Sequence, residues 1–263
     1  IVNFVSVFQN LANHDIDIYN FYFGEYISAR GVPWHYSLVW IFITTPLLYT
    51  FLFLIGFFFI IKRMIERLLK IEENSSYIDL WRNKKELQDL IFVFSFLIPV
   101  ISVITLDSTL YDGWRHLYFV YPSIILIALF GLHRLFLWKL KRKKKIFFSF
   151  IIILFLPNIL WIYQNHPHQN VYFNILVKKE FNKNFEMDYW GISNKSALEF
   201  IVKNDSRNKI NIFNINTTDL NLSKKILEKF NRDKINVVDS SNNADYIIIN
   251  YRDWKGNTKP DSF

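Results

Sequence analysis

The sequence predicts an α-helical polytopic membrane protein, with about four transmembrane helices and a small C-terminal α/β domain on the exterior face. Three observations predict it. Hydrophobic residues make up 51% of the chain and aromatics 19%, and they come in long blocks that a soluble domain would scatter. The Lys and Arg residues behind the formal net charge of +8 cluster in short segments flanking those blocks, as membrane topology demands, which argues against a nucleic-acid partner. From about His166 onward the composition turns polar and rich in Asn and Lys, with strand and helix patterns in alternation. Cysteine is absent, which excludes disulfides, thiolate metal sites and cysteine nucleophiles.

Residues 1–35 read as an exterior amphipathic helix and loop. Phe4, Phe8 and Leu11 recur at helical spacing, giving an apolar stripe able to lie flat on a bilayer. Asp15 and Asp17 follow as a D-x-D pair, which in an extended chain sets two carboxylates on one side, suitable for a divalent cation. Such pairs abound in polar loops, and a solvated loop is the better reading. The chain starts at Ile1 with no basic, apolar and cleavage-site sequence, so no signal peptide is expected and the chain is expected to be a fragment of something longer.

The membrane domain is expected over residues 36–164. Its spans run from about Tyr36 to Ile61, Leu90 to Leu106, Leu117 to Trp138 and Ile146 to Tyr163, the first long enough to cross a ~30 Å hydrocarbon core with some tilt and the second short for it. One proline falls in each, at Pro46, Pro99, Pro122 and Pro157, where a kink is expected. Lys62, Arg63, Arg67, Lys70, Arg82, Lys84 and Lys85 separate the first two spans, and a basic run from Lys139 to Lys145 separates the last two. Both segments are predicted to be cytoplasmic. Residues 1–35, about 107–116 and everything after Gln164 then fall outside. Trp34, Tyr36, Trp40, Trp114, Tyr118, Tyr121, Trp161 and Tyr163 gather at the predicted outer interface, which amphipathic rings prefer.

The exterior α/β domain is expected over residues 165–263. Ser193 is expected to cap a helix through Ala197, Phe200 and Ile201, and Thr218 to start another with Leu222, Ile226, Leu227 and Phe230. Residues 209–215, 235–238 and 246–250 read as strands of a partly parallel sheet. Neither a G-x-G-x-x-G nor a P-loop motif occurs, so no nucleotide cofactor is expected. No other cofactor is expected either, the Asp15/Asp17 pair being the one weak cation candidate.

The segment from Asp107 to Pro122 carries the best clue to function. It sets Asp112, Arg115 and His116 between two apolar runs, where an ionisable group is expensive unless used. Arg115 and His116 stand at the first turn of the third span, where they can meet a phosphate at the membrane surface. Blander roles compete: Arg115 as an interfacial anchor, Asp112 as its ion-pair partner or a helix cap, His116 as an interfacial residue. His166 and His168 resemble a metal pair but lack nearby carboxylates and read better as loop residues. Tyr189 and Trp190 suit packing at least as well as stacking on a sugar. Arg134 and the basic run read as topology determinants that attract anionic headgroups non-specifically.

Residues 24–46 (GEYISARGVPWHYSLVWIFITTP), 108–123 (STLYDGWRHLYFVYPS), 166–174 (HPHQNVYFN) and 188–191 (DYWG) together resemble bacterial membrane glycosyltransferases of the GT-C superfamily. Within it the chain looks most like the protein O-mannosyltransferase and aminoarabinose-transferase type, glycosyltransferase families 39 and 83, over most of its length. The resemblance implies a multi-pass protein of the bacterial inner (plasma) membrane that takes a sugar from a polyprenyl-phosphate donor to a glycan, lipid or protein acceptor on the exterior face. It implies that Arg115 grips the donor phosphate through paired hydrogen bonds, with His116 as a second donor and Asp112, Trp114 and Tyr118 completing the substrate-binding set. The family's catalytic base is an acid in the first exterior loop. That loop is expected upstream of residue 1, so the role does not pass to Asp15 or Asp17 and the fragment is expected to be inactive alone. Two other classes stay open. One is a non-catalytic membrane anchor presenting an α/β binding module. The other is a transporter or flippase, which the near absence of polar groups in the middle of the spans disfavours.

Overall fold

A computed structural model describes residues 16–69, 80–137, 143–177, 183–215 and 218–249. The helix expected around Phe4 and Phe8, Asp15, Lys70, Trp138 and residues 139–142 lie outside the described residues. The described chain opens with a hairpin, β1 (Tyr19–Tyr22) and β2 (Glu25–Ser28), paired antiparallel. Its two-residue turn, Phe23 at φ +52° and Gly24 at φ +85°, has both residues in the left-handed φ region, which gives a turn that matches the right-handed twist of paired strands. Then come α1 (Tyr36–Thr44), α2 (Leu47–Leu69), α3 (Lys84–Thr105), a 3-10 segment (Arg115–Val120) that runs into α4 (Tyr121–Leu135), and α5 (Lys144–Gln164). Among the described residues, four helices are long and apolar enough to cross a membrane: Leu47–Leu69, Lys84–Thr105, Arg115–Leu135 and Lys144–Gln164.

The first expected span, Tyr36 to Ile61, is corrected by this arrangement. Pro46 has no N–H to donate and biases its predecessor toward extended backbone; Thr45 accordingly sits at φ −99°, ψ 134° and ends α1. The carbonyls this exposes are met by Asn174, whose Nδ2 donates to Phe42 O (2.6 Å) and Thr45 O (3.1 Å) while its backbone N donates to Ile43 O (2.8 Å). Pro122 does not kink a span either. It sits in the first turn of α4, where a missing N–H costs nothing. Pro99 and Pro157 do lie inside α3 and α5.

Helix packing rests on two glycines. A Cβ at Gly56 of α2 would lie 2.0 Å from Ile127 O, and one at Gly131 of α4 would lie 2.1 Å from Leu52 O, so the two backbones touch, as small residues permit. Ile60, Val93, Val100, Leu117, Val120, Ile124 and Ile127 form the buried seam of α2, α3 and α4. At one end of these helices Arg63 pairs with Asp89 (3.0 Å) and Arg67 pairs with Glu86. Asn83 caps α3 there, accepting from Glu86 N at 3.1 Å. Helix α5 is apolar on all sides and only Phe147 of it is buried, the pattern of a helix meant for an apolar environment.

The remaining elements are α6 (Ser193–Asn204), β3 (Ile210–Ile215), α7 (Leu220–Lys225), α8 (Lys229–Lys234), β4 (Ile235–Val237) and β5 (Tyr246–Ile249). Strand β3 lies between β4 and β5 and is parallel to both. Leu198, Ile210, Ile212, Leu220 and Ile235 form a second core. Two local expectations change. Ser193 lies inside α6, whose first amides are capped by Asp188, accepting from Ile192 N (3.0 Å) and Ser193 N (2.7 Å). The helix expected from Thr218 to Phe230 is two short helices, the first capped by Asp219 through Asn221 N (2.8 Å). The two cores also divide the chain late. Phe173, Val177 and Phe185 pack with Tyr36, Trp40 and Trp114 in the first core, and the second draws on residues from Leu198 onward.

Replacing Gly56 by Ala is expected to force α2 and α4 apart at a cost of about 1–3 kcal/mol, the range for overpacking a closed contact. A thermal melt of the purified chain in detergent checks it, and an unchanged midpoint would refute the backbone contact.

Candidate functional site

The loop between α3 and the 3-10 segment is stitched to the hairpin. Leu110 N donates to Ala29 O (3.0 Å), the buried Asn20 of β1 donates through Nδ2 to Leu110 O (2.8 Å), and Asp112 N donates to Asn20 Oδ1 (3.1 Å). Asp112 and Gly113 then take positive φ, +58° and +68°, a conformation open to Gly and tolerated by Asp. Gly113 thereby lays its backbone against Trp40, whose indole would be 3.4 Å from any Cβ there.

Glu186 closes the turn from the far side of the sequence. Its carboxylate is buried, and Oε1 accepts from Gly113 N (2.6 Å) and Tyr36 OH (3.3 Å). Burial first, and then the Glu186 carboxylate, push the Tyr36 phenol well above its ordinary pKa, so it stays a proton donor. Segment 183–186 is itself held by the hairpin: Gly24 N donates to Asn184 O and Glu186 N to Phe21 O, both at 3.0 Å.

Asp112 is buried to within 1% and pairs with Arg115, Nη1 to Oδ2 at 2.8 Å. The guanidinium lies 4.3 Å from the Tyr111 ring centre and 5.9 and 5.7 Å from those of Tyr189 and Trp190. Such faces attract a cation, and one Arg edge stays able to donate because the fork carries five N–H groups. His116 packs edge-on against Tyr111 with ring centres 4.6 Å apart.

Beside these groups lies a cavity of about 400 Å³, lined by Trp40, Thr44, Asp112, Gly113, Trp114, Tyr118, Tyr121, Tyr172, Glu186, Asp188 and Tyr189 among others. Tyr118 and Tyr189 share a hydrogen bond between hydroxyls (3.0 Å), and Trp114 Nε1 donates to Thr44 Oγ1 (2.8 Å). Burial, and secondly Tyr118, raise the Tyr189 pKa, which keeps that phenol neutral. Trp40 Nε1 is buried and, among the described residues, has no acceptor, a cost that the packed rings around it must offset.

Family models, characterised proteins and solved structures all lack a match to this chain.

Of the sequence-derived set, Asp112, Trp114 and Tyr118 line the cavity, while Arg115 and His116 stand outside its lining, Arg115 bound to Asp112. His166 and His168 are not brought together as ligands. His166 Nδ1 is 2.9 Å from Gln169 Nε2 and His168 Nε2 is 3.5 Å from Ser196 Oγ, and no group of three metal-binding residues occurs among the described residues. Glu186, Tyr36 and Trp40 were not assigned to the site from sequence. The signal for Glu186 was slight, an acid just ahead of the Asp188-Tyr189-Trp190 run.

Glu186→Ala removes the acceptor shared by two buried donors and is expected to cost about 1–3 kcal/mol for each one left unsatisfied. Glu186→Gln, which keeps an oxygen, should lose less. Chemical denaturation of both variants tests the order, and equal loss would contradict it.

Proposed function

We propose that this chain belongs to a membrane glycosyltransferase and forms the part that holds a polyprenyl-phosphate sugar at the exterior face. The observation that carries the reading is the aromatic cavity with two buried carboxylates, Asp112 and Glu186, at one end of a bundle of apolar helices. Rings such as Trp40, Tyr172 and Tyr189 suit the apolar face of a sugar, and fixed carboxylates suit its hydroxyls. A lipid-borne donor reaches this end from the side, its chain against apolar helix faces and its phosphate at the level where α4 begins.

Arg115 then serves the phosphate. Asp112 holds one edge of the guanidinium and the Tyr111 ring supports its face, so the remaining donors are oriented for phosphate oxygens. As the sugar C1–O bond breaks, charge grows on the departing lipid phosphate, and a positioned guanidinium stabilises that charge. The acceptor hydroxyl forms the new bond at C1 and gives up its proton to a base.

The orientation follows from charge. Lys62, Arg63 and Arg67 lie late in α2, Lys84 and Lys85 open α3, Arg134 ends α4, and Lys144 and Lys145 open α5. In four successive antiparallel crossings these all fall at one end, which the positive-inside bias makes cytoplasmic. The cavity and the α/β module then fall outside, in the bacterial inner membrane that the resemblance implies.

Because the chain has no cysteine, single cysteines report topology cleanly. Asn208→Cys should react with a membrane-impermeant maleimide on intact spheroplasts and Lys145→Cys only after lysis; the reverse result defeats the orientation. For the phosphate role, quenching of tryptophan fluorescence by farnesyl phosphate in detergent should weaken about tenfold or more in Arg115→Ala, near the 1.5–3 kcal/mol of a charge-assisted hydrogen bond. Unchanged affinity with an intact melt removes Arg115 from the donor site.

A further inference from the structure

The opposite end of the bundle holds a second cavity, of about 540 Å³, lined by Phe59, Lys62, Arg63, Glu66, Arg134 and Leu137. Arg63 lies about 24 Å along α2 from its first residue, at 1.5 Å per residue, so this cavity is remote from the aromatic one. We propose that it is a seat for the phosphate of an anionic glycerophospholipid, held between α2 and α4; the proposal rests on the membrane reading but not on glycosyl transfer.

Three features of the lining support this. The Arg134 guanidinium lies over the rings of Phe59 (5.5 Å) and Phe130 (5.3 Å) and, among the described residues, pairs with no carboxylate. Ring faces hold the cation in place without using its N–H groups, which remain for an oxyanion. Arg63 spends Nη1 on Asp89 at 3.0 Å, yet its Nε is buried with no acceptor among the described residues. Lys62 is half exposed and, among the described residues, meets only Glu66, at 3.6 Å, a surface contact of little energy that an incoming anion can displace.

The lining therefore sets three cations against Glu66, with Asp89 behind Arg63 as a second carboxylate, so that one positive charge is in excess, and Phe59 and Leu137 are its apolar part. Guanidinium forks match the tetrahedral oxygens of phosphate better than they match a halide or a neutral headgroup. A basic pocket between apolar helices, at the end predicted to be cytoplasmic, meets the anionic leaflet. Free phosphate has the same oxygens, but acyl chains would also cover Phe58 and Ile65, which α2 leaves exposed.

Native mass spectrometry of the whole chain in detergent tests the seat with short-chain phosphatidylglycerol, phosphatidylcholine and inorganic phosphate as probes. Phosphatidylglycerol should bind about tenfold more tightly than phosphatidylcholine, and Arg134→Gln should remove most of that preference. Lys62→Gln, at a half-exposed side chain that leaves the fold intact, should weaken it about threefold, whereas Lys144→Gln with Lys145→Gln, charges outside the cavity, should change it less than about twofold. Equal binding of the two lipids, or equal loss in the Lys144/Lys145 control, overturns the seat in favour of bulk charge. Displacement by inorganic phosphate near 1 mM, well within reach of a free anion, overturns the lipid as occupant. Lys62→Gln should bind farnesyl phosphate as the parent does, so loss of this seat is distinguishable from failure of the glycosyltransferase reading.

Discussion

A carboxylate taken out of water is costly unless its oxygens are met by donors, and the site depends on how Glu186 meets that condition. Its Oε1 receives the Gly113 amide and the Tyr36 hydroxyl, groups that belong to segments far apart in sequence. Gly113 takes a positive φ, which favours glycine, to present that amide beside Trp40. Tyr36 must be fully buried at the start of α1. Because Glu186 N in turn donates to Phe21 O, the hairpin, the loop before α4 and the segment after α5 are fixed against one another. The cavity lies between α1, the loop and 3-10 segment before α4, and the segment after α5, with the hairpin behind that segment as its support.

This dependence explains what could be read from the sequence. The second, third and fourth candidate spans were legible because an apolar run of the right length needs no tertiary partner to declare itself; Lys84–Thr105 and Lys144–Gln164 extend the expected spans by a few residues of polar cap. The first was placed too early. Pro46 was visible, but a proline inside an apolar run is compatible with a kink or a stop, and the stop is decided by Asn174, whose amide reaches Phe42 O and Thr45 O. The strands of the α/β module were legible from β-branched alternation, whereas its helix caps were set by Asp188 and Asp219. Within the site, Arg115 stood out as a charge at the mouth of a span. Glu186 did not, because nothing local distinguishes a buried acid from the solvated ones around it.

Asp112 shows how the two kinds of information combine. Sequence offered it as a partner for Arg115, and the pair forms at 2.8 Å. An ion pair with one member fully buried and the other about a quarter exposed is a means of orientation more than of stability, since desolvation offsets much of the attraction. It holds a cation at the edge of an aromatic cavity and keeps it from turning toward water.

The helix crossing gives this site a rigid floor. With Gly56 and Gly131 in backbone contact, α2 and α4 cannot slide without separating carbonyls from the partner backbone, so α4 and the 3-10 segment before it, which carries Arg115, are tied to α2 and thence to Pro46 and α1. Helix α5 lacks such a contact. Its links run through single side chains: Phe147 and Phe148 against Phe136 at one end, and at the other Phe155 against Tyr49 (5.5 Å) and Trp161 against Tyr172 (4.8 Å), with Tyr172 OH donating to Asn158 Oδ1 at 3.4 Å. Tyr172 also lines the cavity. A helix held by few contacts opens at lower free-energy cost than one held by backbone packing, so α5 is the more easily displaced side of the bundle, while the wall formed by Asp112, Gly113 and Glu186 is fixed by buried hydrogen bonds.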